Sequence, residues 1–101
     1  MAGAGDLRAW DGMVGGADWR IGVEAETRVG DWQALERRIS LKSRDGSVDG
    51  VILLVWATRG NLYSLRALGD AVRSRFPVQG NRALELLGAG ANPGGSVLIT
   101  L

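Results

Sequence analysis

Polar and apolar positions along the chain change rhythm several times, and each change marks an element. Leu7 to Val14 reads as a short strand, and Gly15-Gly16-Ala17-Asp18 as a turn in which paired glycines supply positive φ. Trp19 to Thr27 alternates strictly. Trp19, Ile21, Val23 and Ala25 fall on one face, and Arg20, Gly22, Glu24 and Glu26 on the other. Two strands joined by so short a turn make a hairpin. The period then lengthens to that of a helix. Asp31 stands as N-cap, Trp32, Leu35 and Ile39 form a buried stripe, and Gln33, Arg37, Ser40 and Arg44 form a polar one. That helix should stop near Lys42 to Arg44, with Asp45-Gly46 as a turn.

Val51 to Trp56 is apolar on both faces, as in a central parallel strand covered on both sides. Strand, helix and strand in this order predict a right-handed βαβ unit, with segments 19–27 and 50–57 as neighbours in one sheet. Asn61 is expected to cap a second helix whose inner face carries Leu62, Leu65, Leu68, Gly69 and Val72, and Phe76-Pro77 should end it. Asn81 to Leu87 reads as a short helical piece, Gly88 to Gly95 as a loop, and Ser96 to Leu101 as a final strand. The expected fold is α/β: a small mixed sheet flanked by helices, in the order β-β-α-β-α-(α)-β. Residues 1–5 are read as a flexible tail and 6–101 as one domain.

Composition narrows the chemistry. The 101 residues are 46% hydrophobic, which suits a folded domain, and 12 basic against 11 acidic residues give a net charge of +1. Such a balance excludes histone-like binding of nucleic acid, though not a basic stripe on one face. The chain has no His and no Cys. Imidazole acid–base catalysis, Ser-His triads, thiolate nucleophiles, disulfides and most zinc chemistry are therefore excluded. Any metal must be held by oxygen, which points to Mg²⁺, Mn²⁺ or Ca²⁺. No apolar run approaches the ~20 residues that span a bilayer, and the start lacks a secretory pattern. A cytoplasmic protein is the expectation.

Three carboxylates form the candidate site. Asp11 lies in the first strand of the hairpin. Glu24 and Glu26 lie two apart in the second, so they project from one face ~7 Å apart. Like charges so placed call for a positive partner, and a divalent ion held by Asp11, Glu24 and Glu26 is one. Two solvated glutamates on a half-exposed strand are the plainer alternative. Arg20, Arg28, Arg37, Arg38, Lys42 and Arg44 could form a basic rim for a nucleic-acid backbone or simply a solvated surface. The tryptophans fall mainly on apolar stripes and read as core. Gly88-Ala-Gly-Ala-Asn-Pro-Gly-Gly95 lacks the Lys-Ser/Thr of a phosphate loop.

The order of a strand with Asp, a strand with Glu-x-acid, a helix, a strand and a helix resembles the core of the PD-(D/E)xK, restriction-endonuclease-like superfamily. More narrowly, Arg8-Ala-Trp-Asp11, Trp19-Arg-Ile-Gly-Val-Glu-Ala-Glu-Thr-Arg28, Gln33-Ala-Leu-Glu-Arg-Arg-Ile-Ser-Leu-Lys42 and Asp49-Gly-Val-Ile-Leu-Leu54 look like the C-terminal domain of certain actinobacterial helix-turn-helix proteins. The superfamily resemblance implies a restriction-endonuclease-like core, β-β-α-β-α-β, acting as an Mg²⁺- or Mn²⁺-dependent DNA phosphodiesterase. Asp11 would match the first metal-ligating acid and Glu24 the acid of the (D/E)xK motif. Glu26 stands where the family usually has Lys, so the motif is degenerate. The resemblance offers Gln33, early in the helix, or Lys42, at its far end, as the substitute, and Gln33 is the better placed by its closeness in sequence to the strand. The family's leading helix and first strand would precede Asp6, which implies a domain truncated at its N-terminus. Two functions stay open: a metal-dependent nuclease acting on DNA, or a non-catalytic dimerisation or sensing domain of a helix-turn-helix regulator. A small core, the loss of the leading elements and an apolar sheet edge further predict a homodimer, or a domain that needs a missing segment.

Overall fold

The period-two stretch and the all-apolar stretch become adjacent parallel strands. We describe residues 10–101 in a computed structural model. The tail at 1–5 and the expected strand start at Leu7 lie outside the described residues. Strand β1 (Gly12–Gly15) pairs antiparallel with β2 (Arg20–Glu26). Helix α1 (Trp32–Gly46) follows, and β3 (Gly50–Val55) then pairs parallel with β2, placing Glu24 beside Leu53 and Glu26 beside Val55. Helices α2 (Arg59–Leu68), α3 (Asp70–Arg75) and α4 (Gly80–Gly88) lead to β4 (Val97–Thr100), parallel to β3. The sheet runs β1-β2-β3-β4, in chain order. The mixed α/β architecture is the one the sequence predicts, with the apolar strand at its centre.

Both faces of the sheet are covered. Met13, Val51, Leu53, Val55 and Leu98 pack under Trp32, Leu35 and Ile39 of α1 and Leu65, Leu68 and Val72 of α2 and α3. On the reverse face, Ile21, Ile52 and Val97 meet Ala83 and Leu87 of α4. Ile21, Ile39, Leu53, Val51, Val55 and Val97 are fully buried. Each such side chain contributes roughly 1.5–3 kcal/mol of transfer free energy. The apolar set of β2 thus faces α4. Its polar set, Arg20, Gly22, Glu24 and Glu26, lies on the side of the larger core. Gly22 is needed there because the Trp10 ring lies against it: a Cβ would sit 2.6 Å from ring carbons.

Four boundaries differ from the sequence reading. Strand β1 starts only at Gly12, so Asp11, expected within the strand, precedes it. Helix α1 runs on through Asp45 and Gly46 and ends at Ser47, in the left-handed region with φ 53 and ψ 46. The Arg20 guanidinium stabilises that end by donating to the Gly46 carbonyl at 2.9 Å. Asn61 is not a cap. Thr58 caps α2, its hydroxyl accepting from the Asn61 N–H at 3.1 Å. The stripe from Leu62 to Val72 is not one helix either. Gly69, with φ 47 and ψ −106, divides it into α2 and α3, a conformation open to glycine because it has no Cβ. Leu62, expected on the inner face, is 39% exposed.

Candidate functional site

The site is built where α1 folds back over β2. Glu24 and Glu26, on the α1 side of the strand, meet Arg38 and Lys42, one helical turn apart on α1. Lys42 Nζ donates to Glu24 Oε2 at 2.7 Å. Arg38 Nε lies 3.6 Å from the same oxygen, and its Nη2 is paired with Glu26 Oε1. Arg38 therefore spans both glutamates. Glu24 is only 4% exposed. Arg38, with a side chain 46% exposed, opens to solvent.

Glu24 is unevenly satisfied. Oε2 takes Lys42, while Oε1 is buried without a hydrogen-bond partner. A buried carboxylate oxygen with no donor is costly, so this atom marks a position where a cation or a water would be stabilising. The Lys42 ammonium also lies 5.8 Å from the centre of the Trp10 ring, which walls the site off on the Gly22 side. Next to Arg38 a cavity of about 240 Å³ is lined by Glu26, Arg28, Asp31 and Ala34 among others.

Asp11 sits at the head of the hairpin. The β1–β2 register, extended by one residue from Gly12↔Val23, sets it opposite Glu24. Its Oδ2 accepts from the Ala25 N–H at 2.8 Å, so the carboxylate lies beside the peptide that joins Glu24 to Ala25. In that position it satisfies a backbone donor just beyond the end of the ladder. The three carboxylates of the sequence reading are thus grouped as a pair bridged by Arg38 and a neighbour tied to the backbone. Among the described residues, no group of three or more Asp, Glu, His or Cys side chains is placed to hold a metal ion.

The two helical substitutes separate. Lys42 reaches Glu24, whereas Gln33 lines a different groove, between α1 and α2, with Trp32, Tyr63 and Leu68. The preference for Gln33 is reversed for a geometric reason. Helix α1 runs back along β2, and its eleven steps from Asp31 to Lys42 rise about 16 Å, enough to pass the loop and draw level with Glu24. Arg38 is the residue the sequence reading undervalued. Its spacing of four from Lys42 puts both on one face of α1, and the return path of the helix sets that face against β2. Of the other rim residues, Arg20 is taken up at the end of α1, and Arg44 pairs with Asp45 at the surface.

A second polar centre was missed. Asn61, 3% exposed, donates through Nδ2 to the carbonyls of Thr27 and Trp56, at 3.0 and 2.9 Å, and accepts from the Val29 N–H at 2.9 Å. It fastens together the segments that leave β2 and β3. The chain matches no protein-family model, and comparisons with curated proteins and with solved structures give no match.

Proposed function

We propose that this domain is a divalent-metal-dependent phosphodiesterase of the restriction-endonuclease-like kind, acting on DNA, with Glu24 and Lys42 at its centre. The observation that carries the reading is the state of Glu24: buried, held by Lys42 through one oxygen, and without a partner at the other. Mg²⁺ is commonly bound through only one or two carboxylates, with water and substrate phosphate completing the shell. On this reading Glu24 Oε1 and Asp11, opposite it across the hairpin, would form that smaller donor set, and Glu26, engaged by Arg38, would stand outside it. A divalent ion bound there would supply activation of water and stabilisation of phosphoryl charge.

The chain's own residues supply the rest. With such an ion bound, Lys42, held between Glu24 and the Trp10 ring, would offer its ammonium to orient the attacking water and to stabilise developing negative charge. Arg38 and Arg28 offer charge to the phosphate backbone at the adjoining cavity. The test is cleavage of DNA with Mg²⁺ or Mn²⁺. Glu24→Gln should abolish it, and Lys42→Gln should reduce it by about 10²-fold or more, the scale of one lost transition-state donor. Undiminished cleavage by Glu24→Gln would end the proposal.

One observation favours a non-catalytic reading. Two glutamates meet two basic side chains, so the pairs balance without a metal. On that reading the domain serves dimerisation or sensing for a helix-turn-helix regulator. Absence of both cleavage and metal binding in the parent protein would decide for it.

A further inference from the structure

We infer that the reverse face of the sheet, at the carboxyl ends of its parallel strands, docks a second copy of this chain. Three adjacent strands show the same gradient there. On β2, Ile21 is buried, Val23 half-buried and Ala25 exposed. On β3 the same series runs Ile52, Leu54, Trp56, and on β4 and the residue after it Val97, Ile99, Leu101. Side chains two apart share a face, and the pairing sets Ala25, Leu54 and Ile99 in one row, with Trp56 beside Leu101 in the next. Helix α4 covers the start of this face through Ala83 and Leu87 and leaves its end open. Trp56 is 45% and Leu101 57% exposed, while Val55, one residue earlier and on the α1 face, is 0% exposed. A sheet face that stays in water carries polar side chains. The open end carries only Val23, Ala25, Leu54, Trp56, Ile99 and Leu101.

Shape, charge and area select a second copy as the occupant. A face built of strands packs on another of its kind ~10 Å away with the strands nearly aligned. A twofold axis near Trp56 would lay the same rows against each other. None of the six side chains is charged, so the face meets itself without like-charge repulsion, and homodimer interfaces are the more apolar kind. Their exposed parts amount to roughly 350 Å², which approaches the non-polar share of the ~800 Å² that each partner gives to a standard interface. The sequence places a dimer contact at a sheet edge, and the exposed side chains place it on a sheet face instead. This contact needs neither metal nor DNA, and it lies on the opposite side of the sheet from Glu24 and Lys42.

The test is sedimentation equilibrium of the parent protein, Trp56→Lys, Ala25→Lys and Tyr63→Lys across micromolar concentrations, each first checked for folding by its circular-dichroism melt. The parent should sediment as a dimer. Trp56→Lys should weaken it at least about 30-fold, the scale of a central aromatic anchor, and Ala25→Lys should also dissociate it. Tyr63, 73% exposed on α2 over the other face, is the control, and Tyr63→Lys should leave the dimer intact. A dimer that survives Trp56→Lys, or that Tyr63→Lys dissociates equally, overturns the inference, because the contact then lies elsewhere. A monomeric parent overturns it too and leaves the face to a different chain. So does a mass that grows beyond two copies, since a twofold contact closes. Should Trp56→Lys fail to fold, Ala25→Lys decides, and an undiminished dimer overturns the inference.

Discussion

Two polar side chains among the described residues are buried, Glu24 and Asn61, and they are built on opposite principles. Asn61 is neutral and makes three hydrogen bonds to backbone groups of Thr27, Val29 and Trp56, which ties loops together. Glu24 is charged, contacts side chains of one helix, and leaves one oxygen without a donor. A satisfied buried group rigidifies the fold around it. A partly satisfied one has capacity left over. The contrast distinguishes a fastening from a site more sharply than burial does, because the two residues are equally hidden.

The comparison can be broken first at the fastening. Asn61→Ala leaves the buried Val29 N–H and the Thr27 carbonyl without this partner and takes one of two donors from the Trp56 carbonyl, and should destabilise by about 3 kcal/mol in urea unfolding. Asn61→Asp should be no milder, since it turns a donor pair into an acceptor facing two carbonyls. A loss under about 1 kcal/mol would mean that water replaces the amide.

The next largest effect is expected at Lys42. Lys42→Met strands the Glu24 charge with only the longer Arg38 contact, and should cost about 2 kcal/mol, less than for a wholly enclosed pair because Lys42 is partly exposed. Adding Glu24→Gln should recover about half of that, measured as a double-mutant cycle in the same unfolding assay. Strict additivity would show that the two do not act as a pair.

Gly22→Ala probes the wall of the site. The new methyl would meet the Trp10 ring, and overpacking of this kind costs about 1–2 kcal/mol. Trp10 emission should shift toward that of exposed indole if the ring is displaced, with Trp10→Phe identifying its share of the signal. The smallest effect is expected at Glu26→Gln, about 0.5 kcal/mol and reduced further by salt, since its Arg38 partner is half exposed. A cost as large as that at Lys42 would place Glu26 on the structural side of the comparison.

The legibility of these features follows their range. The alternation of Trp19 to Glu26, the apolar run at Val51 and the cap at Asp31 are local patterns, and each element stands where it was expected. Alternation assigns residues to two sides but does not say which side is covered. The side bearing Gly22, Glu24 and Glu26 proves to face the larger core, because α1 packs there. Thr58 and Asn61 are both good capping residues three apart. Which one caps depends on the loops that Asn61 reaches, and these are distant in sequence. Gly69 sits inside an unbroken apolar stripe, so nothing in the periodicity announces the break. Asp11 and Glu24 are drawn near each other by a hairpin that the turn residues signal. The contacts of Arg38 and Lys42 depend instead on the return path of α1 across β2, which spacing alone leaves undetermined.

Strand β3 is hydrogen-bonded to parallel neighbours on both sides, with Val51, Leu53 and Val55 all but inaccessible. Its amides have no route to solvent through fraying at a sheet edge, so exchange of their protons for deuterium requires opening of the molecule as a whole. Helix α3, six residues long and with none of them buried, meets the core through the partly buried Val72 and should open more readily. The amide of Leu53 is therefore a gauge of the free energy of complete unfolding, readable under native conditions without denaturant, while the amides of α3 report only local excursions.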